Sequence, residues 1–161
     1  MKPKWRLSHA RGYMALGLHD LAAEELAALG SEDASGDEAL TLRVLVLQAQ
    51  QQWLLLQPLA AELVKRQPKE PGWWITWAYA TRRAESLLAA EAILREAEMT
   101  HPAEATIQFN LGCYACQRGD LVEARLCVER ALALDRGFRD SNLSDPDLAP
   151  LRATGYQPPA A

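Results

Sequence analysis

ATIQFNLGCYACQRGDLVEARLCVERALALDRGF, Ala105 to Phe138, decides the fold. Apolar residues recur at helical spacing on both sides of Gly119-Asp120, so two amphipathic helices are expected, over 103–117 and 121–134. Gly119 suits the left-handed residue that closes a helix, and Asp120 suits the N-cap of the next one. Gly112 interrupts the first helix with a residue of poor helix propensity. Close approach of the second helix, whose Ala124, Val128 and Ala131 share one face, gives it a reason.

The pattern recurs when the frame is moved back. Residues 71–104 place Trp74, Trp77-Ala78, Ala90, Leu94, Ala97 and Pro102 in the same columns. Residues 37–70 place Val44, Leu56, Ala60, Leu63 and Pro68 there, and residues 3–36 place Ala10, Tyr13, Gly17, Ala22, Leu26 and Leu29. Four units therefore tile 3–138 without insertion. The column Ala10, Val44, Ala78, Gly112 faces the column Ala22, Leu56, Ala90, Ala124, where a bulky side chain would hold two helices apart. Val44 and Leu56 predict a wider crossing in the second unit. Leu29, Leu63, Ala97 and Ala131 face onward to the next unit. One unit alone leaves an apolar face wet, so stacking stabilises each one.

These columns resemble the tetratricopeptide repeat (TPR), a helix–turn–helix unit of about 34 residues, with Trp77-Ala78 and Leu111-Gly112 at its Leu-Gly position. Asn110-Leu111-Gly112-Cys113-Tyr114, and Asp145-Pro146-Asp147-Leu148 with Leu151, are similar to small bacterial TPR proteins. The resemblance implies an all-α, TPR-like α-solenoid: a right-handed superhelix of four helix–turn–helix units with a short C-terminal capping helix. The chain is then a single domain, 1–161, with units 3–36, 37–70, 71–104 and 105–138, a capping tail 139–151 and a frayed end 152–161.

The remaining helices are expected at 5–16, 19–29, 37–50, 54–66, 72–83 and 86–99. Residues 30–36, GSEDASG, read as an acidic loop. Asp20 reads as an N-cap, Pro71 and Pro102 as helix starts, and Gly17 as a helix end. Pro58 is expected near the edge of a first turn, since deeper placement removes a backbone hydrogen bond.

With 161 residues, 49% hydrophobic and 24% charged, the chain can bury a sizeable core. The net charge of −4 and the dispersed Lys and Arg argue against nucleic acid. No apolar run is long enough to span a membrane, and no signal-peptide core follows Lys2, Lys4 and Arg6. An odd count of three cysteines fits a reducing cytoplasm.

No cofactor or metal is expected. Cys113-x-x-Cys116 lies inside a predicted helix with no strand before it, unlike redox motifs that open a helix. Zinc would need ligands beyond Cys127 and the distant His101. Arg118-Gly119-Asp120 matches an adhesion tripeptide in letters, yet capping accounts for Gly and Asp. His9, His19 and His101 are isolated, and the carboxylates are dispersed, so no catalytic residues are assigned and the chain reads as a non-enzyme. Trp74 and Trp77 share a face as i and i+3 and read as core, while Trp73 lies to the side as a candidate surface anchor.

In TPR proteins the first helix of each unit lines a concave groove. On that resemblance the partner-contacting residues are Arg11, Gln48, Tyr79, Arg82, Arg83, Phe109, Asn110 and Gln117. Their formal charges are positive, which suits an acidic or carboxylate-bearing protein or peptide. The same arginines also suit a helix C-terminus through the dipole. The TPRs that clamp a terminal carboxylate use a Lys/Asn set; here Leu42, Gly72 and Thr76 stand in those columns. The expected function is a protein–protein interaction module. A dedicated chaperone for an aggregation-prone client and a self-associating structural protein are the other readings.

Overall fold

The computed structural model describes residues 2–159 and divides after Ser86 into two compact units. The division falls inside the third repeat, between its two helices. Among the described residues there is no strand, and no helix is long and apolar enough to cross a membrane.

The first unit holds α1 (Pro3–Ala15), α2 (His19–Ala27), α3 (Ser31–Ala34), α4 (Asp37–Ala49), α5 (Trp53–Arg66) and α6 (Pro71–Ala84). Ala10, Ala22, Leu26, Leu29, Leu42 and Val46 form one buried cluster where α1, α2 and α4 meet. Leu40, Val44, Leu56, Ala60, Leu63 and Ala80 form a second between α4, α5 and α6. Trp73 and Trp77 pack on the second cluster, and Trp74 is buried with its ring 5.9 Å from that of Trp77. Trp73 is half-buried, and its Nε1 donates to Gln67 Oε1 at 3.0 Å. Its indole is thus pinned at the α5–α6 turn rather than held out as a free anchor.

Several local expectations change. Residues 31–34 form a helical turn rather than a loop, because Gly30 and Gly36 bracket a run that satisfies its own backbone. Asp20 lies within the first turn of α2 and makes no cap; it accepts a hydrogen bond from Gln50 Nε2 at 2.7 Å. Pro58 sits inside α5, past the first turn, on the exposed side of the helix where the unpaired carbonyl one turn earlier can meet water. Pro71 does open α6, but Pro102 precedes α8, which starts only at Ala105 behind the Glu104 cap.

The second unit holds α7 (Leu87–Thr100), α8 (Ala105–Gln117), α9 (Leu121–Leu134), α10 (Phe138–Ser144), a 3-10 turn (Pro146–Leu148) and α11 (Ala149–Ala153). Gly112 is where α8 and α9 approach most tightly: an added Cβ would lie 2.6 Å from Val128 Cγ1 and 3.2 Å from Ala124 O. Asp120 caps α9 through Glu123 N at 3.0 Å. The tail covers α8 and α9 with Leu148 and Leu151, both buried. Each is worth roughly 1.5–3 kcal/mol before the entropy of ordering the tail. Polar contacts fix the lid: Gln117 Nε2 donates to Asp147 O at 2.8 Å, and Arg152 donates to the carbonyls of Asn142 and Asp145.

The end expected to fray is packed as far as it is described. Tyr156 is 8% exposed under Arg125, whose guanidinium lies 5.8 Å from the ring centre. Arg139 donates to the carbonyls of Pro158 and Pro159. Residues 160 and 161, included in that expectation, lie outside the described residues.

Candidate functional site: an arginine on two aromatic rings

The turns inside the repeats set up the site. In the first and fourth repeats the first helix closes on a left-handed glycine, Gly17 at φ 72° and Gly119 at φ 87°. The next residue then bonds back five positions, Leu18 N to Tyr13 O at 2.9 Å and Asp120 N to Ala115 O at 2.9 Å. The second repeat closes in the same way, Gln52 N to Leu47 O at 2.8 Å, but the left-handed residue is Gln51, at φ 56°. A side chain in that conformation costs roughly 1–2 kcal/mol that glycine avoids.

This turn delivers Trp53 to the first position of α5, against α6. Trp53 and Tyr79 meet edge to face, with centroids 5.2 Å apart and planes at 74°. Arg83, one helical turn beyond Tyr79, lays its guanidinium 5.7 Å from the Trp53 ring centre and 6.0 Å from that of Tyr79. Gln48, Gln51, Ile75 and Thr76 complete a shallow depression of about 370 Å³. Tyr79 is 43% exposed and Arg83 is exposed, so the polar wall faces water.

Arg83 differs from most arginines of this chain. Arg6, Arg66, Arg95, Arg118 and Arg125 each pair with a carboxylate. Among the described residues Arg83 has none. Two rings orient its fork while its charge stays unmatched.

The other expected contact residues do different things. Arg11 pairs with Glu38 on α4. Arg82 is half-buried on α6. In the second unit Phe109 is 6% exposed and stacks on Phe138, with centroids 4.8 Å apart. Phe109, expected among the partner contacts, is thus covered by α10 from outside the repeats. Asn110 is half-buried, and Gln117 is engaged by the lid. Trp53 and Gln51 belong to the site without having been among the expected contacts. The signal for Gln51 was legible, since it stands in the column of Gly17 and Gly119.

Elsewhere the polar groups are used by the fold. Glu91, buried on α7, receives Arg118 Nε at 3.0 Å and Nη2 at 3.1 Å, which absorbs the arginine of the adhesion-like tripeptide. All three cysteines are buried, and none is in a disulfide. Burial raises Cys116, and burial followed by the Glu123 charge pushes Cys127 up to about 12. Such thiols stay protonated and are poor nucleophiles at neutral pH. Among the described residues no group of three or more His, Cys, Asp or Glu is placed to hold a metal.

A thermophilic TPR protein from Thermus thermophilus, solved by crystallography, superposes on 94% of this chain and 87% of its own, with a TM-score of 0.64 and 22% identity. The chain has the TPR fold. No protein-family model and no curated protein sequence matches it. That fold accounts for an architecture carried by stacked pairs of helices.

Proposed function

We propose that this TPR chain is a non-enzymatic protein-interaction module that takes a peptide or protein segment, with Gln48, Tyr79 and Arg83 among its contacts. The supporting observation is Arg83, exposed, unmatched by a carboxylate among the described residues, and held on the Trp53 and Tyr79 rings. An ordered fork at the surface favours a carboxylate-bearing partner, because less side-chain freedom is lost on binding. Capture from the source cell by wild type and by Arg83→Glu tests the reading. A partner retained by wild type should be lost by the variant, with the helical circular-dichroism spectrum unchanged. Equal recovery by both would remove this site from the function.

Self-association is a second reading, favoured by Leu54 and Leu55, adjacent on α5 and 72% and 59% exposed. Sedimentation at several concentrations tests it. A monomer throughout the micromolar range would end it.

A further inference from the structure

Gln51 occupies a backbone position that two other repeats give to glycine, and it lines the same depression as Arg83. Residues held in sparsely populated backbone conformations cluster at binding and active sites. Other glutamines of the chain give the contrast. Gln50, Gln57, Gln108 and Gln117 each donate to a protein oxygen, and Gln67 accepts from Trp73. Among the described residues the side-chain amides of Gln48, Gln51, Gln52 and Gln157 have no such partner, and of these four Gln48 and Gln51 line the depression.

Resting on the interaction reading above, we infer that Gln51 and Gln48 bind the backbone of an extended acidic peptide whose carboxylate sits on Arg83. Each side-chain amide offers both a donor and an acceptor, which matches one peptide group. Ile75 and the Trp53 and Tyr79 rings form the apolar wall for a residue beside the acidic one. The volume, about 370 Å³, is on the scale of a few side chains rather than a domain surface. A single guanidinium balances one carboxylate, whereas phosphorylated segments are read by clusters of arginines.

A displayed library of random dodecapeptides, selected on full-length wild type, provides the probe. Enriched peptides should carry Asp or Glu beside an apolar residue. One of them, made synthetically with both ends blocked, is then titrated by fluorescence anisotropy. Arg83→Gln should weaken it roughly 10–100-fold. Replacing the peptide's acidic residue by its amide should weaken wild type equally but leave the Arg83→Gln variant unaffected. Gln51→Gly should weaken binding about tenfold while moving the denaturant midpoint upward, since glycine relieves the turn. Lost affinity with raised stability is an outcome that a purely structural role for Gln51 does not produce. Enrichment without acidic bias, or a peptide indifferent to both substitutions, overturns the assignment and leaves the broader interaction reading standing. A wild-type library that enriches nothing overturns this assignment too; capture of an Arg83-dependent partner from the cell would then show that the broader reading survives.

Discussion

Gly112 and Val128 lie so close that no side chain fits between them: a Cβ built on Gly112 would stand 2.6 Å from Val128 Cγ1. Val128 is β-branched and buried on α9, so its side chain has little freedom to turn away, and the Val128 backbone nitrogen is itself only 3.2 Å from that Cβ. The glycine therefore sets the α8–α9 separation.

Gly112→Leu should lower stability despite better helix propensity. Overpacking costs ~1–3 kcal/mol, against up to ~1 kcal/mol gained by removing a mid-helix glycine. Gly112→Ala meets the same Val128 atoms with less volume and should lose less. Adding Val128→Ala should restore part of that loss, a coupling that chemical denaturation of the single and double variants will measure. A melting temperature at or above wild type for Gly112→Leu would contradict the close crossing.

Removing the tail after Arg139 should expose the surface now covered by Leu148, Leu151 and Tyr156, all buried. The two leucines alone represent ~3–6 kcal/mol of burial, less the entropy of ordering the segment. The expected product is less stable and aggregates at lower temperature. Leu148→Ala, a milder change, should cost ~2–5 kcal/mol. A truncated chain that stays monomeric with an unchanged urea midpoint would show that the lid contributes nothing.

Glu123 accepts from Arg95 Nη2 at 2.7 Å, and this contact holds its carboxyl below the usual range. A carboxylate depressed by folding stabilises above its unfolded pKa, about 4.3, and that contribution is lost as pH falls through the folded value. Wild type should therefore lose stability on acidification below about pH 4–5. Glu123→Gln should flatten this part of the profile and be slightly less stable at neutral pH. Urea midpoints taken across the acid range give the comparison; parallel profiles would mean that Glu123 does not contribute.

The thiols should be silent in the native state. Cys113, Cys116 and Cys127 are 4%, 2% and 0% exposed, and Cys127 is held protonated to about 12. Ellman's reagent at mildly alkaline pH should label the cysteines only as the chain opens, with labelling that tracks the unfolding transition in urea. A fast-reacting thiol in native protein would show that this part of α8 or α9 opens locally.

Most of the architecture was legible because repeat signals are local. Helical periodicity marks α1, α2 and α4 to α9 to within two residues, and Gly17 and Gly119 mark two of the turns by chemistry that glycine alone provides without strain. The site was legible only in part. Tyr79 and Arg83 share a face by spacing, but the sequence does not show that Trp53, at the start of another helix, lies beneath Arg83.

The sequence by itself determined the all-α repeat, its helix–turn–helix spacing and the small residues at the helix crossings, because these follow from the pattern each unit repeats. The sequence also marked 139–151 as a cap, but tertiary structure alone decided what closes over Phe109 and where the end of the described chain packs. Periodicity places Phe109 on a face but does not say that Phe138 from α10 closes over it, nor that Arg139 and Arg125 tie down the tail to Pro159 and Tyr156. It likewise leaves open which arginines find carboxylates, since that depends on distances between helices. Arg118 finds Glu91, whereas Arg83 finds two aromatic rings.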